Sequence, residues 1–121
     1  MSKIVQAVNS MISNPELISK VVEAGTEIFF LYKNKYKWSM TRRDDSHYLW
    51  FYPGNESLET LAAYSELGWE EETPTMVVYH DAKIGTKEAR ASFAELYTLL
   101  KEKLYGIDEV LNDIISDAEL L

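Results

Sequence analysis

The sequence predicts an α+β domain in which helices pack on a four-stranded, mainly antiparallel sheet, built from a three-stranded meander plus one further strand. Residues 26–53 alternate with a period of two and are interrupted by tight turns, so consecutive strands must pair antiparallel. The segments on both sides carry apolar residues at helical spacing. These observations predict the order ααβββαβαα. With 121 residues, the chain is expected to form a single domain over residues 1–121.

Two short helices, or one helix kinked at Pro15, are predicted before the sheet. Ser2 is a suitable N-cap for the first helix. A second helix is expected to begin after Asn14, because asparagine can cap a helix and proline is favoured at its first position. Gly25 is suited to end it. Both helices are predicted to share one apolar face, formed by Ile4, Val5, Val8, Met11, Ile12, Leu17, Ile18, Val21 and Val22.

The meander is predicted from three segments rich in aromatic and β-branched residues, which favour strands. The three strands are expected at 26–32, 36–42 and 47–52. Turns at 33–35 and 44–46 separate the strands, and Pro53, Gly54 and Asn55 end the third. Nine of the fifteen aromatic residues of the chain lie within this meander. They form either the core of the domain or a surface that binds a ligand.

The chain after the meander is predicted to contain a helix, a strand and a long helix. Asn55 or Ser57 is suited to cap the first of these helices. The fourth strand is expected at 75–80, because this segment is β-branched. A loop at 81–85 then leads to Thr86, which is a good N-cap for the long helix.

A last helix, capped by Asp108, is predicted to follow the end of the long helix at Gly106. Its apolar face is the clearest in the chain and comprises Ile107, Val110, Leu111, Ile114, Ile115 and Ala118. The five apolar helical faces exceed what one side of a four-stranded sheet usually covers. We therefore expect that both sides of the sheet are partly covered or that one helix contacts a partner chain. The last helix is the expected surplus, and it either packs on its own sheet or meets a partner.

The amino-acid composition excludes or disfavours several classes of function. The absence of cysteine excludes disulfides and thiolate chemistry, and it favours a soluble protein in the cytoplasm. No segment looks like a signal peptide or a membrane span. The net charge of −8 argues against nucleic-acid binding. Residues 33–43 are the exception, since they hold five of the twelve basic residues and no acid.

The candidate binding site lies on one side of the third strand. Tyr48, Trp50 and Tyr52 alternate onto one face of the sheet, where they form either an aromatic shelf or part of a covered core. Basic residues near this strand would hold an anion or an acidic segment. The candidate binding residues are Tyr48, Trp50, Tyr52, Arg42, Arg43 and His80.

The sequence predicts no catalytic residue, no metal ligand and no cofactor. His47 and His80 could combine with Asp44, Asp45 and Asp81, but their spacing matches no recognised metal-ligand pattern. Glu70–Glu72, which follow a predicted helix end at Gly68, are expected to be a solvated acidic loop. Whether the chain is an enzyme stays open, although a non-enzymatic role is favoured.

The order of a helix, a three-stranded meander, a helix, a strand and a helix in a small acidic chain resembles the secretion-chaperone type of α+β domain. The resemblance rests on element order, from which the second N-terminal helix and the last helix depart. It implies a dimer that binds an extended segment of a partner. The preferred hypothesis is thus a small acidic adaptor, chaperone or inhibitor-like domain with a protein partner or a homodimer. The alternative is a domain that binds a small ligand or an anion, or an enzyme, with a pocket beside the aromatic sheet face.

Overall fold

The computed structural model describes residues 2–66 and 74–120, and its centre is a five-stranded sheet in the order β1-β2-β3-β4-β5. The helices are α1 (Lys3–Ser13), α2 (Leu58–Glu66), α3 (Asp81–Ile84), α4 (Lys87–Tyr105) and α5 (Ile107–Leu120). The strands are β1 (Ile18–Ala24), β2 (Glu27–Tyr32), β3 (Tyr36–Arg43), β4 (Ser46–Tyr52) and β5 (Val77–His80). All neighbouring strands pair antiparallel, which confirms the predicted α+β class. The predicted strand number and element order are wrong.

The difference arises at β1, which replaces the predicted second helix. A single 3₁₀ turn at Pro15–Leu17 follows α1, and the chain then pairs with β2. Lys20 has a positive φ of 51°, and the register shifts between Ser19 and Val22, so one extra residue bulges from the strand. The bulge lets Ile18 and Val21 contact the same core although they are three positions apart. That spacing imitates a helix in the sequence.

Burial of β2 explains why a strand is needed at this position. All six residues of β2 are buried, so its backbone N–H and C=O groups need partners on both edges. β1 and β3 supply these partners. The three strands predicted from the meander correspond to β2, β3 and β4, and the predicted fourth strand corresponds to β5.

Helices α1 and α4 cover one side of the sheet, which we call the α4 face. Its buried core contains Val8, Met11, Ile18, Ile28, Phe30, Tyr32, Met40, Leu49, Phe93, Leu96 and Leu100. The Ser92 hydroxyl of α4 donates to Asn9 Oδ1 of α1 over 2.6 Å, which ties the two helices together. Fully burying each large apolar side chain contributes about 1.5–3 kcal/mol, so this side holds most of the core.

Helix α2 covers part of the opposite side, which we call the α2 face. Its smaller core contains Ala24, Phe29, Leu31, Tyr52, Leu58 and Leu61. α2 packs over β1 and β2, and its first turn is capped by Ser57, whose Oγ accepts from Thr60 N over 3.2 Å. Both sides of the sheet are therefore partly covered. The predicted helix end at Gly68 and the acidic loop at Glu70–Glu72 lie outside the described residues.

The ends of the other helices follow the sequence closely. Ser2 Oγ accepts from Val5 N at the start of α1, and Thr86 Oγ1 accepts from Ala89 N at the start of α4. Gly106 ends α4 with a left-handed φ of 63°. α5 begins at the next residue, before the predicted cap at Asp108. The predicted loop at 81–85 contains the single helical turn α3.

Candidate functional site

The three aromatic residues proposed on β4 lie on the α2 face, but they differ in accessibility. Tyr52 is 1% exposed and packs against Phe29, with ring centroids 5.9 Å apart. Tyr48 and Trp50 are half-buried. The α2 core thus encloses Tyr52, whereas Tyr48 and Trp50 lie farther from α2 and keep part of their surface in contact with solvent.

A buried polar network surrounds the Tyr52 hydroxyl. Ser39 Oγ donates to Glu27 Oε2 over 2.8 Å and lies 2.7 Å from the Tyr52 hydroxyl. Ser65 Oγ of α2 donates to Glu27 Oε1 over 3.2 Å. Burial, reinforced by the Glu27 carboxylate, raises the pKa of Tyr52 well above its ordinary value, against the hydrogen bond with Ser39. Tyr52 therefore stays protonated. Its hydroxyl links β4 to the neighbouring strands and is not available to donate a proton to a ligand.

Two of the basic and imidazole candidates do meet the aromatic residues of β4. Tyr48 stacks on His80 with centroids 4.0 Å apart and an interplanar angle of 8°, and on Trp50 at 5.6 Å. The guanidinium carbon of Arg43 lies 5.3 Å from the Tyr48 ring centroid. We call Arg43, Tyr48, Trp50 and His80 the stack. Among the described residues, buried His80 Nε2 has no hydrogen-bond partner, since Asp81 Oδ1 is 3.9 Å away.

The ring of Tyr48 already stacks on two neighbours, which leaves little free aromatic surface for a flat ligand. The polar groups of the stack are the Arg43 guanidinium group and the His80 imidazole, whose Nε2 is buried. Arg42 does not join this group. It pairs in register with His47 on the adjacent strand, and its guanidinium group contacts the turn through Asp44 O at 3.2 Å and Asp45 Oδ1 at 3.9 Å.

His47 and Asp81 form a buried pair with a structural geometry. Asp81 Oδ1 accepts from His47 N over 3.0 Å, and Oδ2 lies 3.2 Å from His47 Nδ1. Asp81 is 1% exposed and His47 is 7% exposed, and the imidazole lies against the Tyr97 ring of α4. The pair joins the start of β4 to α3. Within the described part of the chain, no group of three His, Cys, Asp or Glu residues could hold a metal ion.

The structure also contains an aromatic groove on the α4 face, which the sequence did not reveal. α1 and α4 bury Met40 completely, but Tyr36 is 41% exposed. The groove has a volume of about 350 Å³ and is lined by Ala7, Ser10, Met11, Tyr32, Lys33, Tyr36, Trp38, Phe51 and Tyr79. Trp38 contacts Phe51 with centroids 4.9 Å apart. Alternation along a strand carries no signal for how far a covering helix extends over it.

The basic run at 33–43 divides among four surroundings. Lys37 Nζ donates to the carbonyls of Gly54 and Glu56. These hydrogen bonds attach the segment between β4 and α2 to β3. Arg42 contacts its own turn and Arg43 joins the stack, as described above. Lys33 lines the aromatic groove, and Lys35 Nζ lies 4.7 Å from the Tyr36 ring centroid. The rim of the groove is consequently basic.

Helix α5 presents an exposed apolar stripe. Its members are between 37% and 59% exposed and comprise Ile107, Val110, Leu111, Ile114 and Ile115. They recur at helical spacing, so they lie on one side of the helix. The expectation that α5 packs on its own sheet is wrong, because every described side chain of the helix is exposed. The apolar pattern was visible in the sequence, but the lack of cover was not.

Searches among protein-family models, curated proteins and solved structures found no match to this chain. Within the described ranges, no helix combines the length and the apolar composition needed to cross a bilayer. The stack, the aromatic groove and the α5 stripe are the surface features that bear on function.

Proposed function

We propose that the chain is a small acidic, non-enzymatic protein-interaction domain of the adaptor, chaperone or inhibitor type, and that it binds its partner through the α5 stripe. The observation that supports this proposal is that five large aliphatic side chains, which recur at helical spacing on one side of α5, are exposed. Contiguous apolar patches on a protein surface mark interaction sites. A helix with anchors at this spacing fits an apolar groove on a partner.

Charge restricts the kind of surface that α5 can meet. Residues 107–121 include five acids and no Lys or Arg, and the whole chain carries −8. Anionic lipid and nucleic acid would repel such a helix. A groove with basic residues at its rim would attract it and accelerate encounter. The proposed location of the protein is the cytoplasm, in keeping with a chain that contains no cysteine.

The test is capture of partners from a lysate of the native host with tagged wild-type chain and two variants. Ile114→Asp places a charge in the middle of the stripe, and we expect it to abolish capture. Asn112→Asp adds the same charge on the polar side of α5 and should capture as well as wild type. Because both positions are exposed, neither change should lower the melting temperature. Equal capture by the Ile114→Asp variant and wild type would refute the proposal.

A second candidate function, binding of a small anionic ligand, is favoured by one observation. Buried His80 Nε2 has no hydrogen-bond partner among the described residues, and Arg43 reaches the same stack. A thermal-shift titration with inorganic phosphate and with nucleotides tests it. Stabilisation that disappears in His80→Ala would support a ligand site, and no shift with any of these anions would eliminate it.

A further inference from the structure

We infer that the α5 stripe of one copy lies in the aromatic groove of a second copy, and that the exchange is reciprocal. This inference rests on the proposed function, because it names the partner of the α5 stripe. In this dimer, each copy contributes both the α5 stripe and the aromatic groove. Neither surface is covered by the described residues of its own copy. A two-fold axis would then create the same contact twice.

The first argument is chemical fit between the two surfaces. The groove is lined by five aromatic residues, four of them partly exposed, and by Met11, and its volume is about 350 Å³. The stripe offers branched aliphatic side chains at the spacing that a groove accepts from a helix. Methionine and aromatic rings adapt readily to such side chains.

The α5 helix and the rim of the groove carry opposite charges. Two α5 helices packed on each other would bring acids together without any basic residue to compensate. The groove provides the opposite charge at its rim, through Lys33 and Lys35. Neither lysine forms a salt bridge with a described residue, so both ammonium groups can pair with α5 carboxylates such as those of Asp113 and Asp117. Charge therefore favours a contact between α5 and the groove over a contact between two α5 helices.

The third argument is the relative position of the two surfaces within one copy. Residues of α1 form one wall of the groove. Pro15 and Glu16, which follow α1, share a cleft with Gly106 and Ile107 at the start of α5. Both surfaces therefore adjoin the segment 7–16, so one two-fold axis beside this segment would bring each stripe to the groove of the other copy. Because Gly106 alone joins α4 to α5, the chain has no linker that would let α5 fold back into its own groove.

A 14-residue helix is about 21 Å long, which suffices to place two turns of the stripe against the groove. A two-fold arrangement makes this contact twice, which doubles the area buried between the two copies compared with one stripe in one groove.

The test is sedimentation equilibrium over a wide range of concentration. We expect a dimer for wild type. Ile114→Asp and Tyr36→Glu should each raise the dimer dissociation constant roughly 30-fold or more. The matched controls Asn112→Asp and Tyr36→Phe should stay within a few-fold of wild type. Circular dichroism melts establish that all variants are folded, which we expect because positions 36, 112 and 114 are exposed.

Mixing the two defective variants decides which surfaces touch. The Ile114→Asp copy keeps its groove and the Tyr36→Glu copy keeps its α5 stripe, so the mixture has one intact contact and should form a heterodimer at concentrations where either variant alone is monomeric. A dimer that is lost in Ile114→Asp but unaffected by Tyr36→Glu would overturn the inference in favour of helix self-pairing. A wild-type monomer whose lysate partner is still lost in Ile114→Asp would overturn the inference while leaving the proposed function intact.

Discussion

The two sides of the β3–β4 pair contain similar aromatic residues, yet Tyr52 on one side is 1% exposed and Tyr36 on the other is 41% exposed. On the α2 face, Tyr52 is sealed beneath α2 and held by Ser39 and Glu27. On the α4 face, Tyr36 and Phe51 extend beyond the helices and line a groove. The comparison teaches that aromatic content does not decide whether a sheet face is core or surface. The position of the covering helix decides it.

The largest expected difference separates Phe29→Ala from Tyr36→Ala. Phe29 is fully buried against Tyr52, so its truncation should lower the free energy of unfolding by about 3–5 kcal/mol. Tyr36 is partly exposed in the groove, so its truncation should cost less than about 1 kcal/mol. Urea denaturation at a concentration where the chain is monomeric measures both. Equal losses would show that the groove residues belong to the core.

A smaller effect is expected from Tyr52→Phe, and its size depends on pH. At neutral pH the variant loses the bonds to Ser39 and Glu27, at a cost of about 1 kcal/mol. Burial raises the pKa of Tyr52 in the folded chain, so its contribution is fully present below pH 10, the ordinary tyrosine value, and is lost as the pH rises above it. Wild type should therefore lose stability more steeply than Tyr52→Phe in alkaline denaturation. Parallel pH profiles of the two proteins would contradict a sealed Tyr52.

The sequence was sufficient for β2, β3 and β4 because their alternation and turn residues are local signals. It failed at β1 because the bulge at Lys20 placed Ile18 and Val21 at a helical spacing. A strand that exists to pair with a buried neighbour is specified by that neighbour, 10 or so positions away, and not by its own pattern. Asp81 is a similar case, since its burial depends on His47, 34 residues away.

The candidate site could be predicted in part. Alternation placed Tyr48, Trp50 and Tyr52 on one face, whereas the stacking of His80 on Tyr48 is seen only in the structure. Alternation could not show that Tyr52 is buried while Tyr48 and Trp50 are only half-buried, because this difference depends on the location of α2. The stripe of α5 was likewise apparent as a pattern, whereas its exposure depends on where Gly106 directs the helix.

The most direct test of the account is hydrogen exchange of the α5 backbone amides at low and high protein concentration, with the oligomeric state fixed by sedimentation. An exposed helix of this length is only marginally stable by itself, so its amides should exchange rapidly in the monomer. We predict that they become protected as concentration rises. Slow exchange of α5 in the monomer, unchanged by concentration, would contradict the account and would make α5 part of the chain's own fold.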